Sequence, residues 1–288
     1  MRVAAFTMVY NESNKLPVWT KYYGSKLGPD NCFVVDHGST DGSTSKLADA
    51  GFNVIKLPRS PQDNDKRTAF LSEVVSSFVR YFDYVLYTDC DEIIVPDPRK
   101  FEGLTDYCER VKPVYVTSIG IDVLHKIDQE GPLDTAQPIL HQRSHGHYSS
   151  AMNKPNLTSR PLVWSAGFHS RELPAQFGDL FLFHLRYVDL TQTLQRLSLT
   201  REMPWARVDA GSHQRVPDDR MLAMINNWNK LPVREDDPWS PNSGRISEYL
   251  NVFRSKETMH PGNRAYWVDT LEFGSELLRI PAAFREAF

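Results

Sequence analysis

Long apolar runs are missing from this chain: no stretch of about 18 apolar residues occurs, so no membrane-spanning helix is expected. Cysteine is scarce. Cys32, Cys90 and Cys108 are an odd number without metal-ligand spacing, which fits buried thiols in a reducing compartment rather than a disulfide framework. Charge of one sign is not in excess. Thirty-three Lys and Arg stand against 36 Asp and Glu, a net charge of -3, which implies no general affinity for polyanions. No Lys/Arg-rich run points to nucleic acid, and neither an internal repeat nor a low-complexity tract is present. Met1 to Val9 is basic once and then apolar. It is too short for a signal peptide and is expected to form a first strand. These absences together predict a cytoplasmic protein, one that would reach a membrane face only through a partner. The 288 residues suffice for one large domain or two small ones.

What is present is a strand that ends in carboxylates. Tyr84 to Thr88 is aromatic, β-branched or apolar and reads as a buried strand. Asp89, Cys90, Asp91 and Glu92 follow, then Ile93 to Val95, and Pro96-Asp97-Pro98 stops the run. Three carboxylates at a strand end must meet solvent, a basic partner or a metal ion, because burying an unpaired charge costs several kcal/mol or more. In an extended chain the spacing of Asp89 and Asp91 puts both on one face. They would repel unless a divalent cation lay between them. Oxygen ligands of this kind favour magnesium or manganese.

The surrounding pattern alternates. Val3 to Val9, Cys32 to Val35 and Asn53 to Leu57 read as strands. Helices are expected from Ser13 or Asn14 to about Lys26, from Ser43 to Ala50, and from Asp63 to Phe82. Strand and helix in alternation predict a parallel α/β sheet, in which ligands bind at the carboxyl ends of strands. Three polar clusters lie at such ends: Asn11/Glu12, Asp36 to Asp41, and Asp89/Asp91/Glu92. Beyond Pro98 the alternation weakens. Phe101 to Val111, Thr191 to Met203 and Asp218 to Leu231 read as helices. Val114 to Ile121, Pro161 to Phe168 and Leu180 to Leu185 read as strands. Residues 125–160 and Pro232 to Asn242 read as irregular.

The first hundred residues resemble the GT-A glycosyltransferases, family 2 and its relatives. Four stretches carry the resemblance: Met8-Val-Tyr-Asn-Glu12, Val34-Val-Asp-His-Gly-Ser-Thr-Asp-Gly-Ser43, Asp63 to Arg67, and Thr88-Asp-Cys-Asp-Glu92. The resemblance implies a Rossmann-type mixed sheet flanked by helices. Residues 1–112 would form a nucleotide-sugar-binding half and 113–288 a more irregular acceptor half, in one continuous domain. It implies transfer, with inversion, of a sugar from a nucleotide-diphosphate sugar to a saccharide, lipid-linked or other hydroxyl acceptor, with Mn2+ or Mg2+ bridging the diphosphate. Asn11, Glu12 and Asp36 would then lie near base and ribose, and Lys66 or Arg67 would approach the nucleotide. Asp89 would meet ribose or metal, and Asp91 would bind metal. His37 departs from the pattern, standing where many relatives carry a second Asp. Gly167-Phe-His169 and Phe181 to Tyr187 resemble a subset in which a late histidine completes the metal site, which makes His184 and His169 candidate ligands.

Arg186 could meet the diphosphate bidentately. A base for the acceptor hydroxyl would be a carboxylate, and Asp122, Asp218 and Asp219 are the candidates, with Asp179 behind them. Trp239, in a Pro/Asp loop, is a candidate acceptor contact. His141, His145 and His147 lack cysteine partners at a zinc spacing. Two other classes compete. A non-catalytic nucleotide-binding module would bind without turnover. A nucleotidyltransferase or phosphohydrolase would want a glycine- and base-rich loop after the first strand, where this chain has Tyr10-Asn-Glu-Ser-Asn14.

Overall fold

The computed structural model describes every residue except 169–171, 261, 263 and 264, and leaves aside the side chains of 166 and 213. Strand β1 (Val3–Val9) behaves as its composition dictates. Its side chains alternate between two cores, as the period of two requires. Val3, Ala5 and Val9 pack with Trp19, Tyr22 and Tyr23 of helix α1 (Leu16–Leu27). Ala4 and Phe6 pack on the other face with Leu71 and Val75 of α2 (Asn64–Phe78). Strands β2 (Cys32–Asp36), β3 (Asn53–Lys56) and β4 (Tyr84–Tyr87) join β1 in a parallel sheet of order β3-β2-β1-β4. Helix α2 opens where expected, because the Asp63 carboxylate accepts the N–H groups of Asp65 and Lys66 at 3.1 Å each.

After β4 the chain turns into β5 (Glu92–Pro96), α3 (Leu104–Val111) and the ten-residue β6 (Tyr115–Leu124). A short α4 (Ile139–Gln142), β7 (His145–Ser149), β8 (Leu157–Thr158) and β9 (Phe177–His184) follow. The last third holds α5 (Leu190–Glu202), α6 (Asp218–Asn229), β10 (Val233–Arg234), α7 (Gly244–Lys256), the hairpin β11 (Glu257–Met259) and β12 (Tyr266–Val268), and β13 (Phe273–Arg279). β8 pairs antiparallel with both β4 and β6 and so ties the parallel strands to the rest. β6 pairs antiparallel with β7 and parallel with β9, and β9 pairs antiparallel with β5. The α/β class is borne out, as a mixed sheet flanked by helices of the kind the GT-A resemblance implies. Among the described residues no helix is long and apolar enough to cross a membrane.

Several expectations need correction. Ser43 to Ala50 is a run of turns, not a helix. Gly42 has φ +78°, and the Thr44 hydroxyl is drawn back to Asp36, so local bonds replace the helical ladder. Pro161 to Phe168 forms no named strand; its Leu162, Trp164 and Phe168 instead cover the outer face of β4 and α2. Residues 125–160, read as irregular, supply β7 and β8. Their strands were hidden because His145, Gly146 and His147 break an apolar pattern, although all three are buried. Trp239 is not available to an acceptor. It is fully buried and packs against Phe181, Phe183 and Phe284.

Candidate active site

Three turns meet at the carboxyl edge of the parallel strands. The turn after β1 is bolted to the turn after β2. Asn11 takes a left-handed φ of 52°, which asparagine tolerates better than most residues. Its Oδ1 accepts the Thr40 N–H at 2.7 Å, its own N–H donates to Ser39 Oγ at 3.1 Å, and the Ser13 N–H donates to Asp41 at 3.1 Å. Asp36 organises the second turn by accepting the Ser39 N–H at 2.8 Å and the Thr44 hydroxyl at 2.7 Å. Burial acts to raise its pKa, but those bonds bring it below the usual value. It lines a shallow cavity of about 400 Å³ with Gly38, Ser39, Thr40 and Lys56. His37, the departure from the family pattern, takes Arg59 on Nδ1 at 2.9 Å and Ser60 Oγ at 3.0 Å from Nε2. The Arg59 guanidinium also lies over the Tyr10 ring at 3.8 Å.

The third turn separates the paired carboxylates. β4 ends at Tyr87, the Thr88 N–H still donates to the Phe6 carbonyl at 3.1 Å, and the Glu92 N–H then closes back on the Asp89 carbonyl at 3.0 Å, so 89–92 is a tight turn. Asp89 points to a basic pair: Arg67 donates to its Oδ1, as does the Tyr87 hydroxyl at 2.9 Å, and Lys154 Nζ is 3.5 Å from Oδ2. Burial opposes its charge, but Arg67 and Lys154 hold the carboxyl well below the usual range. Glu92 is buried, accepts Lys154 at 2.5 Å and the Asp89 N–H at 3.2 Å, and is pushed up to about 7 by burial.

Asp91 turns the other way. Its Oδ2 lies 3.4 Å from His184 Nε2, and His184 Nδ1 lies 2.6 Å from Asp122 Oδ1. The carboxylates outweigh burial and raise His184 to about 10, while His184 outweighs burial at Asp91 and lowers it to about 2. One ligand atom each from Asp91, Glu92 and His184 falls within 4.8 Å of the others. Glu92 already accepts Lys154 and a backbone N–H, which leaves Asp91 and, on release of its Nε2 proton, His184 as the donors for a cation. An oxygen and an imidazole nitrogen, with room for water and phosphate, fit Mn2+ or Mg2+.

Asp91 lines a cavity of about 200 Å³ with Asn11, Glu12, Lys15, Arg186 and the Gln192, Gln195, Arg196, Leu199 face of α5. Glu12 meets Arg196 at 2.6 Å, and burial, against Arg196, lifts its carboxyl to about 7. Lys15 is 9% exposed and donates to Gln192 at 2.8 Å. The structure therefore brings together Asn11, Glu12, Asp91, Arg186 and His184, and Arg67 reaches Asp89 rather than the cavity. Lys66 does not join them: its side chain is 86% exposed and 3.8 Å from Asp63. Asp218 and Asp219 sit in the exposed first turn of α6, Asp218 paired with Arg201 at 2.8 Å, so neither lines the cavity. Asp122 is 3% exposed behind His184. His169 lies outside the described residues. His141, His145 and His147 separate, onto Glu286, Glu130 and the Gly274 carbonyl. Lys15, Gln192, Arg196 and Lys154 went unread. The i, i+3, i+4 spacing of Gln192, Gln195 and Arg196 on an expected helix was the available signal, and for Lys154 there was none.

No family model matches the chain, and no curated protein does. Among solved structures it is similar to glucosyl-3-phosphoglycerate synthase from Mycobacterium tuberculosis in complex with Mn2+, UDP-glucose and phosphoglyceric acid, at 19% identity over 32% of this chain and 34% of that one, with a TM-score of 0.25. The same synthase with Mg2+ and UDP matches at 20% identity, over the same shares, with a TM-score of 0.24. S. aureus TarS matches at 11% identity over 79% of this chain and 43% of that one, with a TM-score of 0.37. The match spans about a third of the synthase's length and less than half of TarS. At these scores neither likeness carries a function to this chain.

Proposed function

We propose that the protein is a metal-dependent glycosyltransferase that moves a sugar from a nucleotide-diphosphate sugar to a hydroxyl acceptor, a saccharide or a lipid-linked one. The observation that carries this is the pairing of Asp91 and His184 at the edge of a cavity that also holds Arg186 and Lys15. Carboxylate and imidazole would hold Mn2+ or Mg2+, and the two cationic side chains would face the diphosphate. The nucleoside would lie across the joined first and second turns, over Asn11 and Asp36. When bound, the cation supplies Lewis-acid stabilisation of the charge that builds on the departing diphosphate. Arg186 and Lys15 add fixed positive charge aimed at the same oxygens, which costs no reorganisation during reaction. Asp89 serves by neutralising Arg67 and Lys154 rather than by ligating. An inverting reaction also needs a base in the same space. Glu12, lifted to about 7, lines that space, whereas Asp122, Asp218 and Asp219 do not.

The test is a thermal-shift screen of nucleoside diphosphates with and without Mn2+, followed by donor hydrolysis and transfer. A ligand at a hundred times its Kd stabilises the fold by about 2.7 kcal/mol. One nucleotide is expected to raise Tm only with metal, and Asp91→Ala to abolish both that shift and turnover. Equal turnover in Asp91→Ala would remove the metal role. Binding without turnover on any donor would favour a non-catalytic module.

A further inference from the structure

Asp122 was a candidate base, yet it lies on the far side of His184 from the cavity. Sheet register accounts for this. Glu92 of β5 is the partner of His184 in β9, and His184 is the partner of Asp122 in β6. Residues directly opposite on neighbouring strands share a face, so three strands place carboxylate, imidazole and carboxylate in one row. Asp122 is 3% exposed, and its Oδ1 lies 2.6 Å from His184 Nδ1. A carboxylate oxygen only accepts, so Nδ1 carries a hydrogen toward Asp122, and Nε2, turned toward Asp91, is the nitrogen that would give up its hydrogen to ligate. The backbone holds the other side: the Leu185 N–H donates to the Asp91 carbonyl at 2.7 Å, fixing the residue after the histidine against the turn that bears Asp91.

We infer that Asp122 is a positioning residue that locks His184 with Nε2 facing Asp91, and so makes the imidazole a ligand for the divalent cation. This rests on the metal site proposed above. A carboxylate that accepts the distal N–H of a ligating histidine fixes its ring and tautomer, and losing it costs 10–100-fold in metal affinity. Asp122→Asn keeps the shape but replaces the acceptor with an amide whose N–H₂ can donate to Nδ1, favouring the tautomer that cannot ligate through Nε2.

The experiment measures Mn2+ binding by electron paramagnetic resonance on the whole chain, wild type and Asp122→Asn, with folding checked by circular dichroism. The expected result is a nitrogen coupling from one imidazole on wild-type Mn2+ and a Kd 10–100-fold weaker in the variant. Wild-type Mn2+ without nitrogen coupling, or an unchanged Kd in a folded variant, overturns the inference while leaving metal binding intact. No Mn2+ binding to the wild type instead defeats the underlying metal site, and the inference with it. If Asp122→Asn does not fold, ¹⁵N shifts of the His184 ring in the Mg2+-loaded wild type decide: protonated Nδ1 supports the assignment, and protonated Nε2 refutes it.

Discussion

Lys154 is a buried cation beside the site, and Lys154→Met tests what it holds in place. Its ammonium is 2.5 Å from Glu92 Oε1 and 3.5 Å from Asp89 Oδ2, with Lys154 and Glu92 side chains only 6% and 1% exposed. Burial opposes the charge on Lys154, but Glu92 and Asp89 together raise its pKa, so the ammonium is held charged. Where Glu92 is ionised, above pH 7, removing the ammonium leaves its carboxylate buried without a countercharge, a loss of about 3–5 kcal/mol. At about 2 °C per kcal/mol for a chain this long, Tm should fall by roughly 6–10 °C in calorimetry. The double variant Lys154→Met/Glu92→Gln, which removes both charges, should recover most of that. The deficit also depends on pH with a definite sign. Burial already holds Glu92 up near 7, above its unfolded value of 4.5, and loss of the ammonium pushes it higher. A carboxyl raised in this way contributes stability below its unfolded pKa that is lost as pH rises through the folded one. The variant should therefore lie closest to wild type near pH 5 and furthest from it above pH 7. A loss below about 1 kcal/mol, or a double variant no more stable than the single, would refute the reasoning.

Two further substitutions separate roles the sequence could not. Trp239→Ala should cost about 3–5 kcal/mol by opening a cavity among Phe181, Phe183 and Phe284, with acceptor KM unchanged at a temperature where the variant is folded; a KM effect alone would return Trp239 to the acceptor. Glu12→Gln should lower kcat by about 10²-fold or more with donor KM little changed. Wild-type kcat should fall as pH drops below about 7, where Glu12 takes up its proton, and the variant should lack that limb. An unaltered pH profile in the variant would place the base elsewhere.

Strands β1, β2 and β4 were legible because burial on both faces writes itself as continuous apolar runs. Val3 to Val9 and Tyr84 to Tyr87 can hardly be read otherwise. Their carboxyl ends were legible for the same reason, since polar residues there interrupt an otherwise apolar text. The later strands were not, because their buried positions are filled by paired polar groups. His145, His147, Asp122 and His184 are buried by virtue of partners far away in sequence, and a local window sees only polarity. α7 and β13 were missed as well: α7 buries one stripe, Ile246, Tyr249, Leu250 and Phe253, and the buried side chains of β13 are the adjacent Leu277 and Leu278, one on each face, too short a run to read as a strand.

The pair Asp89/Asp91 shows where spacing alone misleads. Two residues apart means one face only while the chain stays extended, and this chain turns between Asp89 and Glu92. The tight turn closed by Glu92 sends Asp89 toward α2, where Arg67 waits, and Asp91 toward β9, where His184 does. One carboxylate is thereby spent on neutralising buried cations and the other is left facing the cavity. Asp89 needs no cation between itself and Asp91, because Arg67 and Lys154 already offset it. The proposed cation would instead meet Asp91 with His184, whose register partner Asp122 lies on the neighbouring strand β6, far away in sequence and outside any motif. The chemistry of the site is thus fixed less by the Asp-Cys-Asp spacing than by the alignment of β5, β9 and β6, which no single stretch of sequence contains.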